Sequence, residues 1–503
     1  MPISFVMSSI FFNWLAGAVD SVDPTVQAAL NPNARVFEVS ARAAPHITAT
    51  LIQLPPTETP RQDPSACQNC SRFHPAGYIA PYPLDLDTVA PWTATTFGEV
   101  SAIELASNGA VALRVHFAEG LGRDGLQLRV YDPPTGVTFG PYSNPILDSD
   151  GTWWTTIIFG DSIGLEFVRS GGPGDVARLP TIQSIAYYYQ NPPAADPRGS
   201  CAHINVTCES DWELEANAVT MLSVVFPSNA VAGYCTGALL NRSAGDFAPL
   251  VMTANHCVGG NGGQSTANST AFVWGFETAQ CNGVAPSPNS FPRSDGSLLL
   301  KSSPDNDWNL LGLYEPPFAF YYLGWNAGAW PPGNSATGIH HPGGTYKRIA
   351  FGQSAGGSAL TFCDANGQNC FAANVWNVQF SSGHTEPGSS GSPIMDSGRL
   401  VRGTLTGGPD ECTISHYGRL LEAFPTLQPY LSNTASPIYV EASYNGFEVG
   451  TAAQPFNTVF EASFCVTEGD TMRIQPGSYP APLTIWRPMT LTVDGSGVVN
   501  IGQ

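Results

Sequence analysis

The chain has 503 residues, enough for roughly three domains, and its 40 acidic against 20 basic residues give a net charge of −20. That balance argues against nucleic acid and anionic membranes as partners, because both call for basic faces. A hydrophobic fraction of 43% argues against global disorder; 52 glycines and 43 prolines beside only 12% charged residues favour short strands and turns over long helices.

The apolar run from Ile3 to Val19 ends in Ala16, Gly17 and Ala18. It has the make-up of a secretory signal core but lacks the positive n-region, and a plain terminal segment is the alternative. Residues 1–24 are therefore read as a signal or leader segment. No run reaches the length of a transmembrane helix. From 25 to 198 comes an N-terminal block. Within it, residues 95–190 alternate apolar and polar in "VALRVHF" (111–117), "LQLRVYD" (126–132), "WTTIIF" (154–159) and "IGLEFV" (163–168). Interrupted by Gly, Pro, Asp and Asn, these runs predict an antiparallel β-sandwich. "NPPAADPRGS" (191–200) reads as a linker, with Arg198 as a candidate processing point.

The middle block, 199–434, predicts short strands at "VTMLSVVF" (219–226), "GALLN" (237–241), "PLVMTA" (249–254), "NLLGLY" (309–314), "NVQF" (377–380) and "VRGTLTG" (401–407). "LLEAFPTLQPYL" (420–431) has helical spacing broken by prolines. The last block, 437–503, has β-runs at short intervals with Gly/Pro turns. It predicts the first rungs of a parallel β-helix, an accessory module. Most of the eleven cysteines lie between Cys201 and Cys412, a density that belongs to an oxidising compartment. They do not fall into two clean CxxC pairs, so neither a structural zinc nor any other metal is expected.

Three signals in the middle block carry chemistry. "TEPGSSGSP" (385–393) offers a nucleophilic serine, Ser390, on a turn that glycines permit. The N–H groups of Gly388 and Ser390 would face a tetrahedral oxyanion. "VMTANHC" (251–257) places His256 at the end of an apolar strand. If Cys257 bridges back to Cys235, that loop is clamped to its neighbour. "SPDNDWNLLGL" (303–313) sets Asp307 just before a strand, where a carboxylate can turn inward to orient an imidazole. Asp305 is its rival. Each signal has a bland reading as a Gly/Ser loop, a structural histidine or a turn aspartate. The order His, Asp, Ser in a β-rich, oxidised block favours a triad. It also excludes the Ser, acid, His order of the α/β-hydrolases.

These residues, with "CTGALLN" (235–241), "IHHPGGTYKRI" (339–349), "GGPDEC" (407–412) and "YGRL" (417–420), resemble the lysyl endopeptidase branch of the chymotrypsin-like serine proteases over roughly 199–434. The resemblance implies an all-β fold, two perpendicular six-stranded barrels with the active site between them. It also implies the disulfides Cys201–Cys412, Cys208–Cys281 and Cys235–Cys257. "CDANGQNC" (363–370) adds a fourth, Cys363–Cys370, across an Asn-Gly hairpin turn. "CQNC" (67–70) is read as a local disulfide or free thiols, and Cys465 is left over. Ser389 stands where trypsin-type zymogens carry the aspartate that pairs with a freed N-terminal amine. Activation should then run through removal of the leader instead. Ser415 stands where lysine-specific members carry an acidic residue, and a neutral hydroxyl cannot offset the burial of an ammonium group. The preference at P1, the residue before the scissile bond, is accordingly expected not to be lysine. His384, six residues before Ser390, would line the pocket base near Thr385, Ser415 and His416. "TGG" (Thr406, Gly407, Gly408) would pair with the substrate backbone, and Thr406 could also bond Asp307. The expected protein is a secreted monomeric endopeptidase acting on proteins or peptides without a cofactor. The alternatives are a catalytically silent protease-fold binding protein, or carbohydrate binding or adhesion through the last block.

Overall fold

The computed structural model describes residues 25–502 except 39, 58–74, 97, 123–124, 170–177, 190–202, 364–369, 410–412, 434, 481–484 and 486. Cys67, Cys70, Cys201, Cys412 and the candidate processing point Arg198 lie outside the described residues.

The middle block builds two barrels. In the second, six described strands close a ring: Ser335–His340, Arg348–Phe362, Phe371–Ser382, Ile414–Arg419, Val401–Gly407 and Pro393–Met395, the last pairing back to the first. In the first, pairing runs from Ser297–Ser303 through Trp308–Leu313, Leu250–Thr253, Val231–Leu239, Val219–Phe226 and Ala271–Trp274 to Arg293–Asp295. Gly296 alone separates the two ends of that path, bringing the sheet round on itself. This is a chymotrypsin-like double barrel. The helix Leu420–Leu431 packs below it as one span. Pro425 and Pro429 do not break it, because Leu420, Ala423, Leu427, Tyr430 and Leu431 bury one continuous apolar face.

The strand Val219–Phe226 shows why the first barrel reads as an unbroken apolar run rather than an alternating one. Leu222, Val224 and Phe226 point into the barrel core. Met221 and Val225 point the other way and pack against Trp154, Phe159 and Tyr188 of the N-terminal block. Both faces are covered, so both are apolar.

The N-terminal block is a two-sheet sandwich. One sheet runs Thr50–Gln53, Gly98–Ala106, Ser162–Arg169, Leu126–Tyr131, Thr138–Tyr142. The other runs Ala112–Phe117, Thr181–Tyr188, Pro75–Asp85. Strands Thr50–Gln53 and Pro75–Asp85 precede the alternating stretch that marked the sandwich in the sequence. The segment "WTTIIF" splits into two short strands, Trp153–Trp154 and Ile158–Phe159, both pairing with Ala112–Phe117. The second sheet does not stop at the block's edge. Tyr78, Gly77 and Pro75 pair with Val231, Ala232 and Gly233, so it continues into the first barrel. Residues 25–30 lie across the middle block, pairing with Tyr321–Tyr322 and Trp325–Asn326.

In the last block Ile438–Val440, Thr471–Ile474 and Thr490–Val493 stack in parallel, as do Gly477–Tyr479 and Val499–Ile501. This is the ladder of a short β-helix. Phe456, Phe464, Met472 and Tyr479 share one core with the first barrel.

Candidate active site

Asp307 closes the hairpin between Ser297–Ser303 and Trp308–Leu313. Its φ is +53°, the left-handed conformation that ends many such turns and that aspartate tolerates better than most residues. That backbone turns its carboxylate inward, where it is 0% exposed, while Asp305 stays at the surface. His256 follows the strand Leu250–Thr253 on a single helical turn, Asn255–Cys257. Asp307 Oδ1 accepts the backbone N–H of His256 at 2.9 Å, and Oδ2 lies 2.8 Å from Nδ1. One carboxylate thus fixes both the main chain and the ring of the histidine.

The Ser390 loop is held against the same spot. Thr236 donates its N–H to the Ser390 carbonyl (2.8 Å) and its hydroxyl to the Gly388 carbonyl (2.9 Å). The Cys235–Cys257 disulfide forms, and Cys257 Sγ lies 3.7 Å from the Ser390 carbonyl. The residue after His256 therefore touches the backbone of Ser390. Gly391 sits too close to the first barrel for any side chain: a Cβ there would lie 2.1 Å from Thr253 Oγ1 and 2.4 Å from the Thr236 carbonyl. Gly388, at φ +92°, is equally crowded by Gly343, Gly344 and His341. Within the turn, Ser389 N–H bonds the Glu386 carbonyl and Gly391 N–H bonds the Leu405 carbonyl. Among the described residues the N–H groups of Gly388 and Ser390 have no backbone acceptor.

The remaining expected residues are placed as follows. Ser415 is buried, and its hydroxyl lies 2.7 Å from that of Thr385. His416 meets Asn377 through Nδ1 at 2.9 Å, and burial lowers its pKa. Gly407 pairs with His416 across the sheet. A Cβ on Gly408 would stand 2.8 Å from the Ile414 carbonyl, so glycine is required there. One expectation is corrected: Thr406 does not bond Asp307. Its hydroxyl is buried without a hydrogen-bond partner among the described residues, since the Asp307 oxygens are turned to His256. His384 is neither solvated nor isolated. Its ring stacks on His203 at 4.1 Å, and its Nε2 lies 3.1 Å from Glu386 Oε1. Cys208–Cys281 and Cys363–Cys370 form as well, and Cys465 is buried as a free thiol.

Sequence reasoning missed the group behind the Ser390 loop. His203 Nε2 lies 3.4 Å from Glu386 Oε1, and His340 Nδ1 lies 2.7 Å from Ser389 Oγ. Burial, helped by the neighbouring His203, His341 and His384, holds the pKa of His340 well below the ordinary histidine value. Its signals in the sequence were the histidine pair in "IHHPGG" (339–344) and the serine at 389, neither of which names the other as a partner. Among the described residues, two clusters carry metal-ligand types, His203/His384/Glu386 and Cys235/His256/Cys257. In the second, both thiols are consumed by the disulfide.

Residues 196–419 match the family model of the lysyl endopeptidase C-terminal domain. A lysyl endopeptidase of Pseudomonas aeruginosa is 28% identical over 352 residues, covering 65% of this chain and 73% of that protein. The chain is a lysyl endopeptidase-like serine protease. It is thus a serine endopeptidase, a hydrolase of proteins or peptides. Among solved structures, the active form of the Rv3671c protease from M. tuberculosis is similar at 16% identity and a TM-score of 0.34, covering 47% of this chain and 87% of that one. The HtrA-type protease AlgW with a tripeptide is similar at 15% identity and a TM-score of 0.31, covering 44% and 63%. No described helix of this endopeptidase is long and apolar enough to cross a membrane.

Proposed function

We propose that this endopeptidase cleaves by acyl transfer through Ser390, His256 and Asp307. The carrying observation is the buried Asp307 carboxylate 2.8 Å from His256 Nδ1, in a loop whose next residue abuts the Ser390 backbone. His256 takes the Ser390 proton as the hydroxyl attacks the scissile carbonyl. Asp307 holds the tautomer that leaves Nε2 free to accept, and stabilises the imidazolium that forms. The N–H groups of Gly388 and Ser390 take the oxyanion. His256 then protonates the leaving amine, and water repeats the sequence on the acyl-enzyme.

The P1 residue is not lysine in this reading. The hydroxyl pair Thr385–Ser415 brings no negative charge to the position where an ammonium would have to be neutralised. A small or polar P1 side chain suits that pair better. The disulfides accord with secretion, and the N-terminal sandwich is read as a leader whose removal accompanies activation.

A labelled fluorophosphonate on the purified protein, with the adduct mapped by mass spectrometry, tests the assignment. Modification at Ser390, abolished in Ser390→Ala, is expected. An inert protein would instead support a silent protease-fold binder. A peptide-library digest reads P1 in the same preparation, and dominant cleavage after lysine would overturn the specificity reading.

A further inference from the structure

Behind the Ser390 loop, three stretches of chain meet. The loop supplies His384, Glu386 and Ser389; the end of strand Ser335–His340 supplies His340; the start of the middle block supplies His203. The turn is knotted to itself through Glu386: its N–H bonds Ser389 Oγ at 3.1 Å, and its carbonyl accepts the Ser389 N–H at 2.9 Å. The Glu386 side chain lies under this turn at 7% exposure, with Oε1 facing both imidazoles. A carboxylate so covered needs hydrogen-bond donors to offset its loss of water. His384 stands with its Nε2 3.1 Å from Oε1, and His203, stacked on it, brings its own Nε2 to 3.4 Å from the same oxygen.

The two rings are stacked, 16° from parallel. Ligands of a tetrahedral ion converge on a point from separated directions. Parallel rings that share one oxygen suit two N–H donors to a carboxylate better. His203 is also well anchored. Ile204 and Asn205 pair with Ile349 and Arg348, and Cys208 is bridged to Cys281. Its position is therefore set by the barrel and not by the loop it touches.

We propose that His203 is a positioning residue for the oxyanion loop. Its Nε2–H holds Glu386, and through the Glu386–Ser389 turn it fixes the directions of the Gly388 and Ser390 N–H groups. The start of the protease block thereby braces the loop with an imidazole, in a site where Ser389 leaves no carboxylate for a terminal amine. This rests on the assignment of Ser390 as nucleophile.

The test uses the full chain carrying His203→Ala and, separately, His203→Gln, whose amide nitrogen can stand near the position of Nε2. Turnover of a peptide substrate and hydrogen–deuterium exchange of the loop 384–392 are both read. Losing a whole oxyanion donor costs about 10²–10³ in kcat, so a misdirected pair should cost on the order of 10–100-fold, with KM within about twofold. Exchange in the loop should rise in His203→Ala, and His203→Gln should restore most of both. A wild-type chain that reacts with the fluorophosphonate, beside a His203→Ala chain with unchanged kcat and unchanged loop exchange, overturns the inference. Loss in both variants without rescue also overturns it, since it marks a packing role. A wild-type chain inert to the probe overturns the Ser390 assignment instead, and the exchange data still decide whether His203 braces the loop.

Discussion

Acid should loosen the N-terminal sandwich through one residue, His116. It lies in the strand Ala112–Phe117, with its ring stacked on Trp154 at 4.3 Å and its Nδ1 3.1 Å from Ser184 Oγ. Burial is the main cause that lowers its pKa from 6.5 to about 4, with Arg114 adding to the effect and Asp150 opposing it. Above pH 6.5 the imidazole is neutral whether the chain is folded or unfolded, and the full stability is present. As pH falls toward 4, the unfolded chain takes up a proton that the folded one refuses, so stability is lost across that window. The 2.5 pH units between 6.5 and 4 correspond to about 3 kcal/mol at ~1.36 kcal/mol each. The measurement is guanidinium unfolding, followed by tryptophan fluorescence at pH 7 and pH 4, for the wild type and for His116→Asn, which keeps a polar group toward Ser184. The acid-induced loss should be larger in the wild type by about 3 kcal/mol. A difference below about 1 kcal/mol would refute the argument that a buried neutral imidazole sets this dependence.

Three further outcomes are expected. Asp307→Asn should lower kcat by about 10⁴ with little change in KM, because an amide facing Nδ1 can hold the wrong tautomer; a loss under tenfold in steady-state turnover would remove Asp307 from the mechanism. Gly391→Ala should destabilise by more than about 3 kcal/mol, since its Cβ would overlap Thr253 Oγ1 and the Thr236 carbonyl at a φ of +81°; an unchanged melting temperature would show that the loop is not pressed against the barrel. Ser415→Asp should raise cleavage after lysine by about tenfold or more relative to other P1 residues, and an unchanged peptide-library profile would place the pocket elsewhere.

Local patterns were legible in the sequence, and long-range ones were not. The strand Val219–Phe226 and the span of helix Leu420–Leu431 were read at their observed bounds, because apolar periodicity is a local property. Pro425 and Pro429 do not interrupt that helix, since the buried face it lays on the barrel outweighs two missing donors. Asp307 was separable from Asp305 because only one of them directly precedes an apolar strand. The bond from Thr406 to Asp307 could not be judged, because a carboxylate's choice among nearby donors depends on side-chain orientation. His203 was invisible as a partner of Glu386. The two are 183 positions apart, and neither lies in a pattern that names the other.

The two flanking blocks grip the first barrel in different ways, and this bears on the proposed removal of the N-terminal block. The last block is held by charge inside the core: Arg242, 0% exposed, donates to the Phe464 and Cys465 carbonyls, and both Arg242 and Arg487 pair with Asp246. Removing one partner of such a group strands a buried charge, at about 3–5 kcal/mol, so this block acts as part of the barrel's foundation. The N-terminal block is held by main chain, through the pairing of Pro75–Tyr78 with Val231–Gly233, by the packing of Trp154, Phe159 and Tyr188 on Met221 and Val225, and by polar contacts such as Arg114 to the Ser223 carbonyl and Asn289 to Phe159. Cutting the chain between residues 190 and 202 would leave every one of these contacts in place. With the N-terminal block read as a leader, as proposed above, its release is a separate step from cleavage, in which a strand must peel from the edge at Val231–Gly233. That edge leads directly to Cys235 and Thr236, the residues that hold the Ser390 loop.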